Sequence, residues 1–343
     1  MKKLFIILIS LLIANSAFAY YPYYPIPTSL SKLTKYFKKN NAELVKIPSY
    51  RGPFRRSDAY ANIRDGLYKK LPIEVDALMA FPKKGEDPFP VVMFVHASGG
   101  ASLFSNEWFK FNRLMAKALL KKGIAVMFLD NFSARGEKNT YKNQTTINHW
   151  GTFIDAFKAL EYLSNDSRVN IKKVGITGWS RGGAISLMAS EKRLRDALVS
   201  KDLYFAAAQP RSPPCNSIGM FLNPQPIKET KTWLVLGGVD NYTPPGPCVE
   251  LGEKYKANGA DIEITVKKGW HHGFTANYKP QWDPKAQIWN KCAPAYTNDE
   301  GYIVTNSNIK YPYPCVTYGA TMGGNKGSVF KKPFLKFFEE NLL

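Results

Sequence analysis

Acidic residues are scarce in this chain: 27 Asp and Glu stand against 47 Lys and Arg in 343 residues, a formal net charge of +20. With 22% of residues charged, the surplus reflects few acids rather than dense charge. Cysteines number four, Cys215, Cys248, Cys292 and Cys315, and none falls in a C-x-x-C spacing. That argues against a zinc site and for two disulfides in an oxidising compartment, and spacing alone leaves three pairings open. Histidines also number four, which leaves few candidates for a catalytic base. Long apolar runs are missing: the longest, residues 4–14, is too short for a membrane-spanning helix, which needs about 20 residues. No internal repeat or low-complexity block is present. What is abundant is apolar and aromatic material, 45% and 14%, enough for a large core, so wholesale disorder is excluded.

The short apolar run follows Lys2 and Lys3 and precedes Ala17-Phe18-Ala19, the layout of a bacterial secretory signal. Cleavage near Ala19 is expected, with a periplasmic or secreted product carrying +18 once the two leader lysines are gone. Residues 20–70 read as a basic N-terminal extension, with Leu30, Leu33, Tyr36 and Phe37 spaced as a short amphipathic helix. Residues 71–343 read as one domain. Residues 73–78 alternate as a half-exposed strand, and 91–95 form a continuous apolar run as in a strand buried on both faces. The series continues with helix 107–122, strand 124–129, helix 146–164 and strand 174–177. Helix 181–192, strands 204–208 and 232–236, helix 248–258 and strand 262–266 complete it. Buried strands alternating with helices predict a doubly wound, mostly parallel α/β sheet with helices on both faces. Residues 275–326 break the rhythm, being rich in Tyr, Asn, Pro and Gly. A Cys292–Cys315 bridge would tie this insertion down, and a closing helix follows at 330–342.

Gly178-Trp179-Ser180-Arg181-Gly182 matches G-x-S-x-G, in which a Ser sits on a sharp strand-to-helix turn above the sheet. The context fits, with a buried strand before it and a helix-forming run after it. Such a Ser needs a base and an acid, in the chain order Ser, acid, His. That order leaves His271 and His272 and excludes His96 and His149. His96 reads as a brace for the adjoining loop and His149 as a helix-start or surface residue. Asp240 follows the strand 232–236 on a Gly-Gly-Val exit loop and is the best acid. Asp196, Asp202 and Asp261 are placed less well. The expected oxyanion donors are the Arg181 N–H and an N–H of Ser98 or Ala97. Trp179 and Tyr242 flank these positions as candidate pocket walls. No metal or organic cofactor is required.

Together with Val91 to Gly100 (VVMFVHASGG), Leu129 to Gly136 (LDNFSARG), Gly238-Val239-Asp240 and His271-His272-Gly273-Phe274, these residues resemble the dienelactone hydrolase family of α/β-hydrolases, in its exported serine-containing branch. The resemblance runs over about residues 72–275. It implies the α/β-hydrolase fold, hydrolysis of small esters or lactones, and a triad of Ser180, Asp240 and His272, since the His directly before Gly-Phe is the one used. It further implies a Cys215–Cys248 bridge and an Arg-bearing loop beside the pocket, where Arg135 would meet a substrate carboxylate. The enzyme that names the family has a Cys nucleophile and a nearby carboxylate, where this chain has Ser180 and, at the matching position, Ala97. Dienelactone itself is therefore not the expected substrate.

Two other enzyme-like readings share the same motifs: a prolyl-oligopeptidase-like serine peptidase and an inactive hydrolase used as a binding module. The first normally carries a propeller for which the residues before the strands leave no room. A polyanion binder is the remaining class. The basic residues, however, fall mostly in scattered pairs such as Lys121-Lys122 and Lys331-Lys332, with no nucleic-acid motif. The expected partner is thus a small ester or lactone, with no nucleic acid and no integral membrane segment after leader removal.

Overall fold

Strands that are apolar on both faces need cover on both sides, and the chain is built around that requirement. The computed structural model describes residues 24–53, 55–305 and 314–343. The expected leader and its cleavage point lie outside these residues. Eight strands form the main sheet: β1 (Glu43–Tyr50), β2 (Pro72–Ala80), β3 (Phe89–Val95), β4 (Ala125–Asp130), β5 (Val169–Trp179), β6 (Ala207–Arg211), and, beyond the separate two-residue β7 (Met220–Phe221), β8 (Lys231–Gly237) and β9 (Asp261–Lys267). Their order is β1-β2-β4-β3-β5-β6-β8-β9. β2 is antiparallel to both β1 and β4, and every later pairing is parallel. Val95 is level with Leu129 on one side and Gly178 on the other, so β3, β4 and β5 end at one edge.

Seven helices accompany the strands among the described residues: α1 (Ala59–Arg64), α2 (Phe111–Lys121), α3 (His149–Ser164), α4 (Arg181–Met188), α5 (Lys192–Leu198), α6 (Pro245–Ala257) and α7 (Gly327–Leu342). Side chains of a strand alternate between faces, and β3 divides accordingly. Val91, Met93 and Val95 join Phe153, Phe157, Ile185 and Leu251 in one core, while Val92 and Phe94 join Met115, Phe334 and Phe338 in the other. Each fully buried side chain of this size contributes about 1.5–3 kcal/mol relative to exposure. The α/β architecture with helices on both faces is therefore present.

Three expectations need revision. The amphipathic helix expected near residue 30 is instead a run of 3₁₀ turns, Ser29–Lys32, Thr34–Tyr36 and Lys38–Asn40. Leu30, Leu33 and Tyr36 recur every third residue, which is the 3₁₀ period rather than 3.6, and Leu30, Leu33 and Phe37 are fully buried. The strand at 72–80 is buried from Val75 onward rather than half-exposed, because Val75, Ala77 and Met79 pack into one core and Leu78 and Ala80 into the other, while β1, unforeseen, pairs along its outer edge. The insertion at 275–326 contains strands: β10 (Gln281–Ile288) pairs with β13 (Thr317–Met322), and β11 (Ala295–Thr297) pairs with β12 (Ile303–Thr305) and with β7. The register of β10 shifts between Asp283 and Gln287, which erases any clean alternation. Disulfides join Cys215 to Cys248 and Cys292 to Cys315.

Candidate active site

β5 runs straight into α4, and the turn between them is Ser180, at φ 56° and ψ −122°. A non-glycine residue there is strained by about 1–3 kcal/mol and persists only where its surroundings enforce it. The two glycines of the motif are such an enforcement. A Cβ on Gly178 would lie 2.6 Å from the Gly182 carbonyl, and one on Gly182 would lie 2.5 Å from the Val95 carbonyl, so only glycine fits either position. The Ser180 N–H donates to the Arg211 carbonyl at 2.9 Å, which fixes the turn against β6. The hydroxyl opens on a cavity of about 250 Å³.

Asp240 lies on the exit loop of β8, 4% exposed. Its Oδ1 accepts the N–H groups of Tyr242 and Thr243 at 2.9 and 2.8 Å. Its Oδ2 receives His272 Nδ1–H at 2.8 Å, with the Thr243 hydroxyl 3.0 Å away. His272 follows β9, is fully buried, and packs between Trp179 and Tyr242 at ring separations of 5.3 and 4.6 Å. Because Nδ1 carries the proton shared with Asp240, Nε2 is left as the basic nitrogen, and it is buried without a hydrogen-bond partner. Among the described residues no hydrogen bond joins it to Ser180. His271, one residue earlier, makes no bond to Asp240.

The loop after β3 is held by a neutral histidine. His96 Nδ1–H donates to the Ala97 carbonyl at 2.9 Å and Nε2 accepts the Asn131 N–H at 3.0 Å. Burial lowers its pKa, which the nearby Asp130 only partly offsets. Ser98 reaches the cavity wall, whereas Ala97 is not among its lining residues. As the first residue of α4, Arg181 has a backbone N–H with no acceptor inside the helix. His149, the first residue of α3, also lines the cavity, and burial plus the charges of Arg181 and Arg56 push its pKa well below the usual value.

Two expected pocket residues are placed elsewhere. Arg135 is 3% exposed and lines no part of the cavity. Its guanidinium is paired with Asp155 at 2.7 and 3.0 Å and also donates to the carbonyls of Tyr50, Arg51, Asn131 and Gly151. It braces β1, α3 and the loop after β4, and has no donor left for a substrate carboxylate. Trp179 stacks on Phe109 behind His272 rather than facing the cavity. Tyr242 does line it, and burial pushes its phenol up to about 12.

Sequence reasoning missed Gln144, Arg56 and Gln287, all on the cavity wall, where Trp289 of the insertion joins them. Gln144 Oε1 accepts the Ser98 hydroxyl at 2.8 Å, its Nε2 donates to Tyr242 at 3.1 Å, and its backbone N–H donates to Gln287 at 2.8 Å. It thereby ties the loop after β3 to the Asp240 loop and to the insertion. Arg56 donates to the Ser217 carbonyl and stacks over Trp289. The Arg181 side chain, 1% exposed, donates to the carbonyls of Ile147 and Gln144. Burial, then the charge of Arg135, lowers its pKa to about 9. No Asp or Glu lines the cavity. Nor is any group of three or more His, Cys, Asp or Glu placed to hold a metal ion among the described residues.

A sheet of this order, a strained Ser between β5 and α4, and an Asp and a His on the loops after β8 and β9 define an α/β-hydrolase. The model of the dienelactone hydrolase family matches residues 75–293, and the chain belongs to that family. It is 27% identical over 119 residues to a protein of Bacillus subtilis (strain 168) described as the hydrolase YtaP, covering 31% of this chain and 40% of that one. It thus spans under half the length of that curated relative. Among solved structures it is similar to a protein described as a dienelactone hydrolase from Klebsiella pneumoniae subsp. pneumoniae MGH 78578 (16% identity, TM-score 0.47, 70% of this chain and 91% of that one). It is also similar to Thermogutta terrifontis esterase 2 phosphorylated by paraoxon (16% identity, TM-score 0.45, 59% and 80%).

Proposed function

We propose that the chain is an exported serine hydrolase that cleaves small carboxylic esters or lactones through an acyl-enzyme on Ser180. The reading is carried by the 2.8 Å Asp240–His272 bond. That bond leaves Nε2 of His272 unpartnered, and the imidazole packs 5.3 Å from the ring of Trp179, the residue before the strained Ser180. Nε2 takes the hydroxyl proton as Ser180 Oγ attacks the ester carbonyl carbon. The carbonyl oxygen becomes an oxyanion facing the N–H groups of Arg181 and of Ser98, the Ala97 N–H being the alternative, and each donor is worth about 3–4 kcal/mol. The imidazolium, stabilised by Asp240, returns the proton to the leaving alkoxide. Water, deprotonated by Nε2, then attacks the acyl carbon and releases the acid with Ser180 restored. A cavity of about 250 Å³ suits short acyl groups. Two disulfides agree with an oxidising compartment. A panel of short esters, lactones and thioesters tests the reading, with fluorophosphonate labelling of Ser180 alongside. Turnover of at least one ester and a labelled Ser180 are expected, and failure of both overturns it.

The cavity wall also narrows the substrate. Arg56 and Arg181 line it, and among the described residues neither has a carboxylate partner and Arg181 Nε is a buried donor with no acceptor. The role first assigned to Arg135, meeting a substrate carboxylate, is better filled by this pair. A charge-assisted hydrogen bond contributes about 1.5–3 kcal/mol. Arg56→Gln should therefore lower kcat/KM for a half-ester of a dicarboxylic acid about tenfold or more, and change the matching neutral diester little. Comparing the two substrates on one variant removes any general loss of folding, and an equal loss on both would reject the anionic preference.

A further inference from the structure

A second groove lies between α2 and α7, about 880 Å³ in volume, and shares no lining residue with the active-site cavity. Its floor is apolar, with Leu114, Met115 and Leu335, and its rim is five lysines: Lys110, Lys117, Lys121, Lys122 and Lys331. Only two of the five meet a carboxylate. Lys122 pairs with Glu339 at 2.8 Å, and Lys110 lies 4.0 Å from a Glu107 already held by Arg113 at 2.5 Å. Lys117, Lys121 and Lys331 have no acidic group within ion-pair distance among the described residues. The basic surface continues onto the 3₁₀ turns, where Lys35 and Lys117 both lie over the Tyr36 ring, at 5.1 and 5.4 Å. Two large apolar side chains at this site stand exposed, Leu114 at 45% and Trp108 at 58%. Trp108 adjoins the groove directly, since its carbonyl accepts the N–H of the lining residue Asn277 at 2.7 Å.

We propose that this groove seats the protein on an anionic phospholipid surface. The lysines match the charge of the headgroups, and long lysine stems lie along apolar surface while the ammonium groups stay in water. Trp108 and Leu114 at this site supply what a bilayer interface takes up and a bare polyanion has no use for. Four of these lysines lie in α2 or directly at its ends, and the packing of α7 on α2 adds Lys331 to them, so part of the charge that looked diffuse along the chain collects around this groove.

Co-sedimentation of the purified protein with phosphatidylcholine vesicles, with and without phosphatidylglycerol, tests the proposal at low and high salt. Comparing variants of the same chain cancels any contribution of its N-terminus. Binding is expected only with phosphatidylglycerol and should weaken steeply with salt. Each surface lysine contributes about fivefold to such partitioning. The triple variant Lys117→Glu, Lys121→Glu, Lys331→Glu should therefore partition at least about 100-fold less well. The triple change to Ala, which removes the same charges without reversing them, should cost about 100-fold, with an unchanged melting temperature. Leu114→Ser should weaken vesicle binding several-fold yet leave retention on heparin unchanged. The proposal is overturned if neither triple variant affects vesicle binding. It is equally overturned if Leu114→Ser is neutral while heparin and vesicles are bound alike, since the groove would then read charge alone, as an acidic protein or polymer would supply.

Discussion

Ser180→Ala should lower kcat for any ester the protein turns over by about 10⁶-fold, with the melting temperature unchanged. The size follows from the proposed triad acting as a unit: once the nucleophile is gone, His272 and Asp240 would have no proton to manage, and what survives would come from the proposed oxyanion donors and binding alone. The unchanged stability follows from the geometry. The Ser180 backbone N–H, which holds the turn at 2.9 Å from the Arg211 carbonyl, is kept in the variant. The strained φ of 56° is imposed by Gly178 and Gly182, whose own positions are untouched. Asp240→Asn is a less clean test, because Asp240 accepts two backbone N–H groups besides His272, so the change disturbs the loop as well as the tautomer. Initial rates with a chromogenic ester, read with a thermal melt on the same samples, settle the matter. Equal rates for variant and wild type would remove Ser180 from the chemistry, and a rate loss accompanied by a large fall in melting temperature would show a folding defect instead.

The contrast between Ser180 and the residues around it shows what a sequence carries openly. Ser180, Asp240 and His272 are separated by 60 and 32 positions. Each is nonetheless announced by its own neighbours: a glycine on either side of a tight turn, a Gly-rich exit from a buried strand, and a Gly-Phe after the last parallel strand. The strands themselves are legible for the same local reason. Val91 to Val95 must be covered on both faces, and no partner has to be known to see it. Gln144 is the opposite case. It lies in a polar stretch, Asn143-Gln144-Thr145-Thr146, with no periodicity, and its importance comes only from being brought against Ser98, Tyr242 and Gln287. Arg56 is likewise one arginine among several until its loop packs on Trp289. β1 escaped notice because its alternation is imperfect and includes Pro48. As an edge strand it can hold a proline, and its register is set by β2 rather than by itself. Long-range pairing leaves no local mark.

Arg135 is where the resemblance and the packing disagree, and the disagreement predicts a large effect on stability in place of one on substrate binding. Arg135→Met should cost about 3–5 kcal/mol, because it leaves Asp155 as an uncompensated charge at 0% exposure. Asp155 keeps Ser49 at 2.6 Å and Asn131 at 2.9 Å as donors, but these are neutral and do not replace the bidentate guanidinium. Four carbonyls, from β1, the residue after it, the loop after β4 and α3, lose their donor at the same time. Denaturant unfolding should show a lower midpoint with the same slope. A substrate-binding Arg135 predicts something different: unchanged stability and a raised KM confined to anionic esters. The double variant Arg135→Met, Asp155→Leu separates the cases even if the single one barely folds. Removing both charges takes away the unpaired carboxylate, so the double variant should recover much of the lost stability, as neighbouring partners in one network do not add. Measured while folded, it should keep the wild-type ratio of kcat/KM between a half-ester and its neutral diester. A shift in that ratio would return Arg135 to the substrate. An unchanged ratio with restored stability would leave anion recognition to Arg56 and Arg181, which face the cavity.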